Sequence, residues 1–478
     1  MTPMVSTTSG LSAKGEGLFA SASGPSYYFA DINRIGTTSG NQRISFDIYT
    51  LPNAAEIGSD SSGNIYVLYN DGVGPNQCLI KYNSSYVIQW QLATASGVVS
   101  PNNLYVDSSG NCYVSGGLSI GAGVSKYNTN GTFQWTVGVS GSPYLGSVIQ
   151  NITTDSSGNM YMLGSYFPYR TGNTRIGYTY TTGIFVTKFN SSGSTIWNQT
   201  LYIVAGQSIS ISNTTGNNQI VVDSSGNIYV TFSASTSPGK SNPGLWILNS
   251  SGSTIYNKAI FETGNSTSSG SSGSLAIDPT NSYIYCASIY KAAATGVWVY
   301  RYNISTSSID YVTINTSYYP EFGISIVCDN SGNVYTAGNG IPITALDSTL
   351  SSVLWQKTGA GTSPNITNYG SYAGSLAYNS KIGLLLCGSC TNSAGGYAGI
   401  FGNVPTNGSK SGNYTISPST GGTDYATYLT TSNYVSRATT IGTSVIGASS
   451  SNVQNTTLYS NNDFSSSTSY TTSTVLLT

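Results

Sequence analysis

Gln219-Ile-Val-Val-Asp-Ser-Ser-Gly-Asn-Ile-Tyr-Val-Thr-Phe232 decides the fold. An apolar run meets Asp223-Ser-Ser-Gly-Asn227, after which β-branched and aromatic residues alternate. Asp accepts backbone N–H groups within its own turn, and Gly and Asn tolerate the positive φ of a tight hairpin. The alternation that follows places one side chain on each face of a strand. The stretch therefore reads as two short strands joined by a tight turn.

The same phrase stands at Asp60, Asp107, Asp155 and Asp329, with its glycine at Gly63, Gly110, Gly158, Gly226 and Gly332. Worn copies begin at Asp278 and Asn379. These turns are assigned a structural role. Each phrase leads to a strand ending in Lys-Tyr-Asn or a variant, then a polar turn and a strand carrying an aromatic. Examples are Lys81-Tyr-Asn83 with Trp90, Lys126-Tyr-Asn128 with Trp135, and Lys188-Phe-Asn190 with Trp197; Trp355 and Tyr256 hold the same place elsewhere. Each repeat thus offers four short strands, and a recurrence of roughly 40–50 residues marks a propeller or related array. A four-stranded sheet cannot bury both faces alone, so neighbours must pack around an axis.

The fold class expected is an all-β propeller of four-stranded antiparallel blades. Seven phrase copies give seven blade centres. Tyr27–Asn33 and Arg43–Ile48 read as the outer strands of another blade, and Ala438–Ile441 with Ser444–Ala448 as its inner strands. Eight blades closed by both termini is the favoured expectation, and seven the alternative. The chain divides into an N-terminal arm (1–25), the propeller (26–450) and a Ser/Thr/Asn-rich tail or outer strand (451–478). The wide spacing between Asp155 and Asp223 marks an insertion bearing Tyr166, Tyr169, Arg170, Arg175, Tyr178 and Tyr180, the best candidates for contact with a partner.

The Asp-x-Ser-Gly-Asn-x-Tyr-Val cores resemble the SBBP class of β-propeller repeats, related to NHL repeats, over roughly residues 55–415. The resemblance implies the fold and says little of activity, because propellers host unrelated functions. The related virginiamycin-lyase-like propellers use histidine for proton transfer, and this chain has none.

Composition narrows the classes. The 16 Lys+Arg and 17 Asp+Glu make 7% of the chain, where ordinary domains carry roughly 25%. No basic cluster offers a nucleic-acid footprint, and no apolar run is long enough for a membrane helix. No basic and apolar leader opens the sequence. Cys78, Cys112, Cys286, Cys328, Cys387 and Cys390 sit mostly in strand-like runs and read as small core residues. Solubility must come from hydroxyl and amide groups.

Several motifs are set aside. Ala234–Ser241 fits a relaxed phosphate-loop spelling but leads into Asn242-Pro-Gly244 and a strand, not a helix. Gly117-Leu-Ser119-Ile-Gly121 spells a nucleophile elbow, yet Ser119 has no histidine to serve as base. Cys387-Gly-Ser-Cys390 has no second pair, and the Asp turns lack the carboxylate pattern of a calcium loop. The repeated tryptophans read as packing between repeats. Asn-x-Ser/Thr sequons, at Asn83, Asn151, Asn190, Asn249 and Asn365 among others, arise readily in so Asn/Ser/Thr-rich a chain.

No catalytic residue, cofactor or metal is therefore expected. The leading expectation is a non-enzymatic structural protein on the surface of a virus particle, of phage or large DNA virus type. Its partners would be other structural proteins, including copies of itself, or a host glycan, with neither nucleic acid nor membrane insertion. A secreted or cell-surface glycan-binding adhesion module is the alternative, and an extracellular filament subunit a third reading.

Overall fold

A computed structural model describes residues 28–35, 56–70, 77–94, 101–118, 121–139, 148–166, 183–203, 208–210, 219–237, 240–262, 269–270, 273–291, 295–315, 324–338, 341–358, 375–391, 397–409 and 412–416, together with seven strands within 425–476. The described residues form seven four-stranded antiparallel blades and no helix. Blade 1 comprises Glu56–Ser59, Ile65–Asn70, Gln77–Tyr82 and Ile88–Thr94. Blade 4 comprises Ile220–Val222, Ile228–Ser237, Lys240–Leu248 and Thr254–Glu262. Blades 2, 3, 5 and 6 follow the same order, and the first strand of each blade packs beside the first strands of its neighbours around the axis.

Seven blades, not eight, close the ring. The seventh phrase builds only three strands, Leu376–Asn379, Gly383–Thr391 and Tyr397–Val404. The missing fourth is Tyr28–Ile35, paired antiparallel with Tyr397–Val404. The N-terminal segment read as the rim of an eighth blade therefore completes the seventh, which removes the exposed edge that an incomplete sheet would leave. Arg43–Ile48 lies outside the described residues.

The segments expected as inner strands of that eighth blade are outer strands instead. Ile441–Val445 pairs with the fourth strand of blade 4 and Ala448–Ser449 with that of blade 3. They belong to a run from Tyr425 to Leu476 that places a fifth strand on every blade.

The core lies between blades. Tyr161, Leu163, Ile184, Val186 and Leu201 of blade 3 pack with Ile228, Val230, Phe232 and Trp246 of blade 4, an arrangement repeated around the ring. The closing seam is aromatic. Tyr82 and Tyr86 of blade 1 lie against Phe401 of blade 7 with ring centroids 4.9 and 5.5 Å away. Tyr86 Oη donates to Asn403 Oδ1 at 2.9 Å, and Asn379 Nδ2 donates to the Asp60 carbonyl at 2.8 Å.

Candidate functional site: the turn-bearing face and its axial cavity

In a four-stranded meander the turns after the first and third strands emerge on one face of the ring. That face carries the Asp phrases near the axis and the Asn turns further out.

Asp60 shows how an inner turn is held. Its Oδ1 accepts the N–H groups of Ser62 and Asn64 at 2.9 and 3.0 Å, and its Oδ2 accepts Asn64 Nδ2 and Tyr66 Oη at 2.7 and 2.9 Å. The glycine at the corner takes a φ of +85° at Gly63, a value that side chains rarely adopt. Asp155, Asp223 and Asp329 receive the same four donors from their own turns, including Tyr161, Tyr229 and Tyr335. Burial pushes the Asp155 carboxyl up, but hydrogen bonds from Asn159, Tyr161 and Ser157 outweigh it and hold the carboxyl below its ordinary value. Burial, reinforced by the adjoining carboxylates, pushes Tyr161, Tyr229 and Tyr335 well above the usual phenol range. These acids and phenols are committed to structure.

The outer turns lock one blade to the next. Asn128 Oδ1 accepts the N–H groups of Asn130 and Thr132 at 3.0 and 2.9 Å, making a second turn of the same kind. Trp90 of blade 1 donates its indole N–H to the Thr129 carbonyl of that blade 2 turn at 2.9 Å. Trp135, Trp197 and Trp355 do likewise to Ser191, Ser250 and Thr406, at 3.2, 3.2 and 2.7 Å. The indole needs a turn without a side chain at its corner: a Cβ on Gly408 would lie 2.6 Å from the Trp355 ring, and its φ is +64°. Blade 5 carries Tyr311 in place of tryptophan, and Arg301 Nη1 makes the equivalent bond to the Ser348 carbonyl of blade 6 at 2.9 Å. Lysines 81, 126 and 188 lie over the Tyr66, Tyr113 and Tyr161 rings at 5.0–5.2 Å. The tryptophans are thus engaged in packing, as their repetition implied.

At the centre of this face the ends of the first strands line a cavity of about 360 Å³. Its walls include Ser59, Tyr105, Thr153, Thr154, Cys328 and Tyr378, and no charged side chain. Thr154 Oγ1 donates to Tyr105 Oη at 3.3 Å. Burial pushes the Cys328 thiol well up, with Asp278 and Asp329 adding to the effect, so it holds its proton at neutral pH. The cavity offers hydroxyl donors and acceptors on apolar walls.

A ring of buried polar side chains was not foreseen. Four residues before each turn Asp or Asn stand Glu56, Asn103, Asn151, Gln219, Ser274, Ser325 and Ser375, every one at most 6% exposed. Ser325 Oγ accepts the Leu376 N–H of the next blade at 3.1 Å. Burial pushes the Glu56 carboxyl well above its ordinary value. The signal was present in the repeat register, but an isolated polar residue in a short apolar run resembles surface alternation.

The remaining sequence candidates are dispersed. Ala234–Ser241 forms a hairpin in which Ser237 pairs with Lys240, a blade connection without a helix. Tyr166 ends the strand Met160–Tyr166; Tyr169, Arg170, Arg175, Tyr178 and Tyr180 lie outside the described residues, as does Ser119. Cys387 is buried between blades 7 and 1. Asn151 is buried, whereas Asn83, Asn190 and Asn249 are turn residues whose side chains accept backbone N–H groups.

Comparison with known proteins adds no family: no protein-family model matches the chain, and no curated protein does. Some solved structures are similar at low identity. The GH93 α-L-arabinofuranosidase of Fusarium graminearum, in complex with arabinobiose, is 10% identical with a TM-score of 0.43, over 79% of this chain and 98% of that one. The NanB sialidase of Streptococcus pneumoniae is 10% identical with a TM-score of 0.40, over 80% and 95%. BamB from Moraxella catarrhalis is 14% identical with a TM-score of 0.38, over 72% and 95%.

Proposed function

We propose that the protein is a non-enzymatic structural component displayed on the exterior of a virus particle, of phage or large DNA virus type, built from SBBP-like repeats. One observation carries this reading. On the turn-bearing face Asp60 and its counterparts hold turns, Trp90 and its counterparts join blades, and the cavity at the centre is lined by neutral groups. Such a face has little charge to steer a substrate and suits close packing against other polar surfaces. Its partners would be neighbouring particle proteins or further copies of this chain. Mass spectrometry of purified particles tests the reading: the protein should remain with intact particles through high-salt washing, and its absence from them would end the idea.

A second reading, a glycan-binding adhesion module, is favoured by the axial cavity, where Tyr105 and Tyr378 stand among Ser and Thr hydroxyls. Neutral sugars are recognised by such combinations of aromatic and hydroxyl groups. A glycan array distinguishes it: binding lost in Tyr105→Ala and Tyr378→Ala supports this reading, and no signal from the folded protein removes it.

A further inference from the structure

The run from Tyr425 to Leu476 does more than add an edge strand. It visits the blades in reverse order, from blade 6 through blades 5, 4, 3, 2 and 1 to blade 7, and so encircles the ring once. Lys357 and Thr358 of blade 6 pair with Thr431 and Thr430, and Thr313 and Ile314 of blade 5 with Arg437 and Ser436. Blade 4 pairs through five residues, Lys258–Glu262 with Ile441–Val445. Blade 2 pairs through Thr136–Val139 and blade 1 through Ala93 and Thr94. The last strand, Ser469–Leu476, lies along all of Tyr28–Ile35, the strand that closes the ring.

Two features set this belt apart from the blades. The ring is closed by Tyr28–Ile35 before the belt is counted, so the belt is an addition to a complete propeller. Four of the seven attachments, on blades 6, 5, 3 and 1, are two residue pairs long: Thr195–Ile203 is nine residues long, yet the belt pairs only with Tyr202 and Ile203. Among the described residues the rest of that edge carries no strand. The two-pair attachments, linked in series with the longer ones, hold by effective concentration, on the order of mM for short links. A second copy at comparable density presents an identical segment in the same register, which is the condition for strand exchange.

We propose that the outer ends of the fourth strands are strand-acceptor sites and that the seven strands between Tyr425 and Leu476 are the donors, occupying them within one molecule when dilute and between copies when crowded. The occupant in the crowded state is the C-terminal segment of a second copy of this chain. The inference is independent of where the protein is displayed. Dilute protein stays monomeric because the chain's own belt competes at higher effective concentration. Opening the belt at high protein density joins copies by backbone pairing, with no change in the blades.

The register supplies the test, since Ala259 of blade 4 lies opposite Ser444 of the belt. Two full-length variants, Ala259→Cys and Ser444→Cys, are mixed, and a third carries both substitutions. The double variant should form its disulfide within one chain. The mixed single variants should form no covalent heterodimer when dilute, and a heterodimer bonded through 259 and 444 after a brief sub-denaturing urea pulse at about mM concentration. Failure of the double variant to cross-link would overturn the register. Absence of the heterodimer where the double variant does cross-link would overturn exchange.

Discussion

Raising the pH should unfold this protein abruptly, and the structure says where and by how much. Tyr66, Tyr113, Tyr161, Tyr229, Tyr285 and Tyr335 occupy one position in six successive blades, each at most 1% exposed. Burial is the main reason that all six phenols are pushed well above the ordinary range. A group whose folded pKa is raised contributes its full stability below the unfolded pKa and loses it as pH climbs towards the folded value. For tyrosine the loss starts near pH ~10, and one unit higher each phenol forfeits up to ~1.4 kcal/mol. Discounting for water at the rim, ~1 kcal/mol each gives ~6 kcal/mol by pH ~11, against a typical total of 5–15 kcal/mol. Lys126 and Lys357, pushed down by burial, work in the opposite direction and offset part of this. Urea titrations at stepped pH, with tyrosinate absorbance as a second signal, measure the effect. The control is Tyr161→Phe, which loses the bond to Asp155: its deficit relative to the parent should be ~1 kcal/mol at neutral pH and shrink by a similar amount near pH ~11. A deficit constant across that range would refute the reasoning.

Other consequences follow from the same contacts. Stability should decline as pH rises above about 4.5, because burial holds Glu56 protonated in the fold while it ionises in the unfolded chain. It should decline further above about pH 8.5 as the unfolded chain ionises the thiols of Cys112, Cys286, Cys328 and Cys387 that burial keeps protonated; below about pH 4 it should fall as Asp155 and Asp347, both held below the ordinary carboxyl value, take up protons. Asp223→Ala removes the acceptor of four hydrogen bonds and should cost about 2–4 kcal/mol in urea unfolding. Gly408→Ala places a methyl group against the Trp355 ring at a positive φ and should cost about 2–3 kcal/mol, with a shift in indole fluorescence; an unchanged melting curve would count against the blade-to-blade lock.

Much of the ring was legible in the sequence because its repeat is a turn. Asp223 and Gly226 have chemical tasks that few other residues perform, so the phrase is preserved where strands such as Ile228–Ser237 and Tyr283–Lys291 drift. The Trp lock was legible in part: repetition marked Trp90 and Trp135 as packing residues, but their partner carbonyls on Thr129 and Ser191 belong to the next repeat. The favoured count of eight fails at the ends, and the seven-blade alternative holds. Strand propensity in Tyr28–Ile35 and Ile441–Val445 is local, whereas the sheet each joins is set by pairing with residues about 370 and about 180 positions away. The belt carries no repeated turn phrase, so nothing local in its sequence marks which blade each strand joins.

Ring closure by the N-terminal strand is the claim on which the rest stands, and a disulfide reads it directly. Asp31 lies opposite Ile400 in the pairing of Tyr28–Ile35 with Tyr397–Val404. A chain carrying Asp31→Cys and Ile400→Cys should oxidise in the native state to a single intramolecular 31–400 bond, identified by peptide mass spectrometry and lost when oxidation is carried out in denaturant. A native chain in which position 31 instead bonds elsewhere, or leaves position 400 free under the same oxidation, would contradict a seven-bladed ring closed in this way.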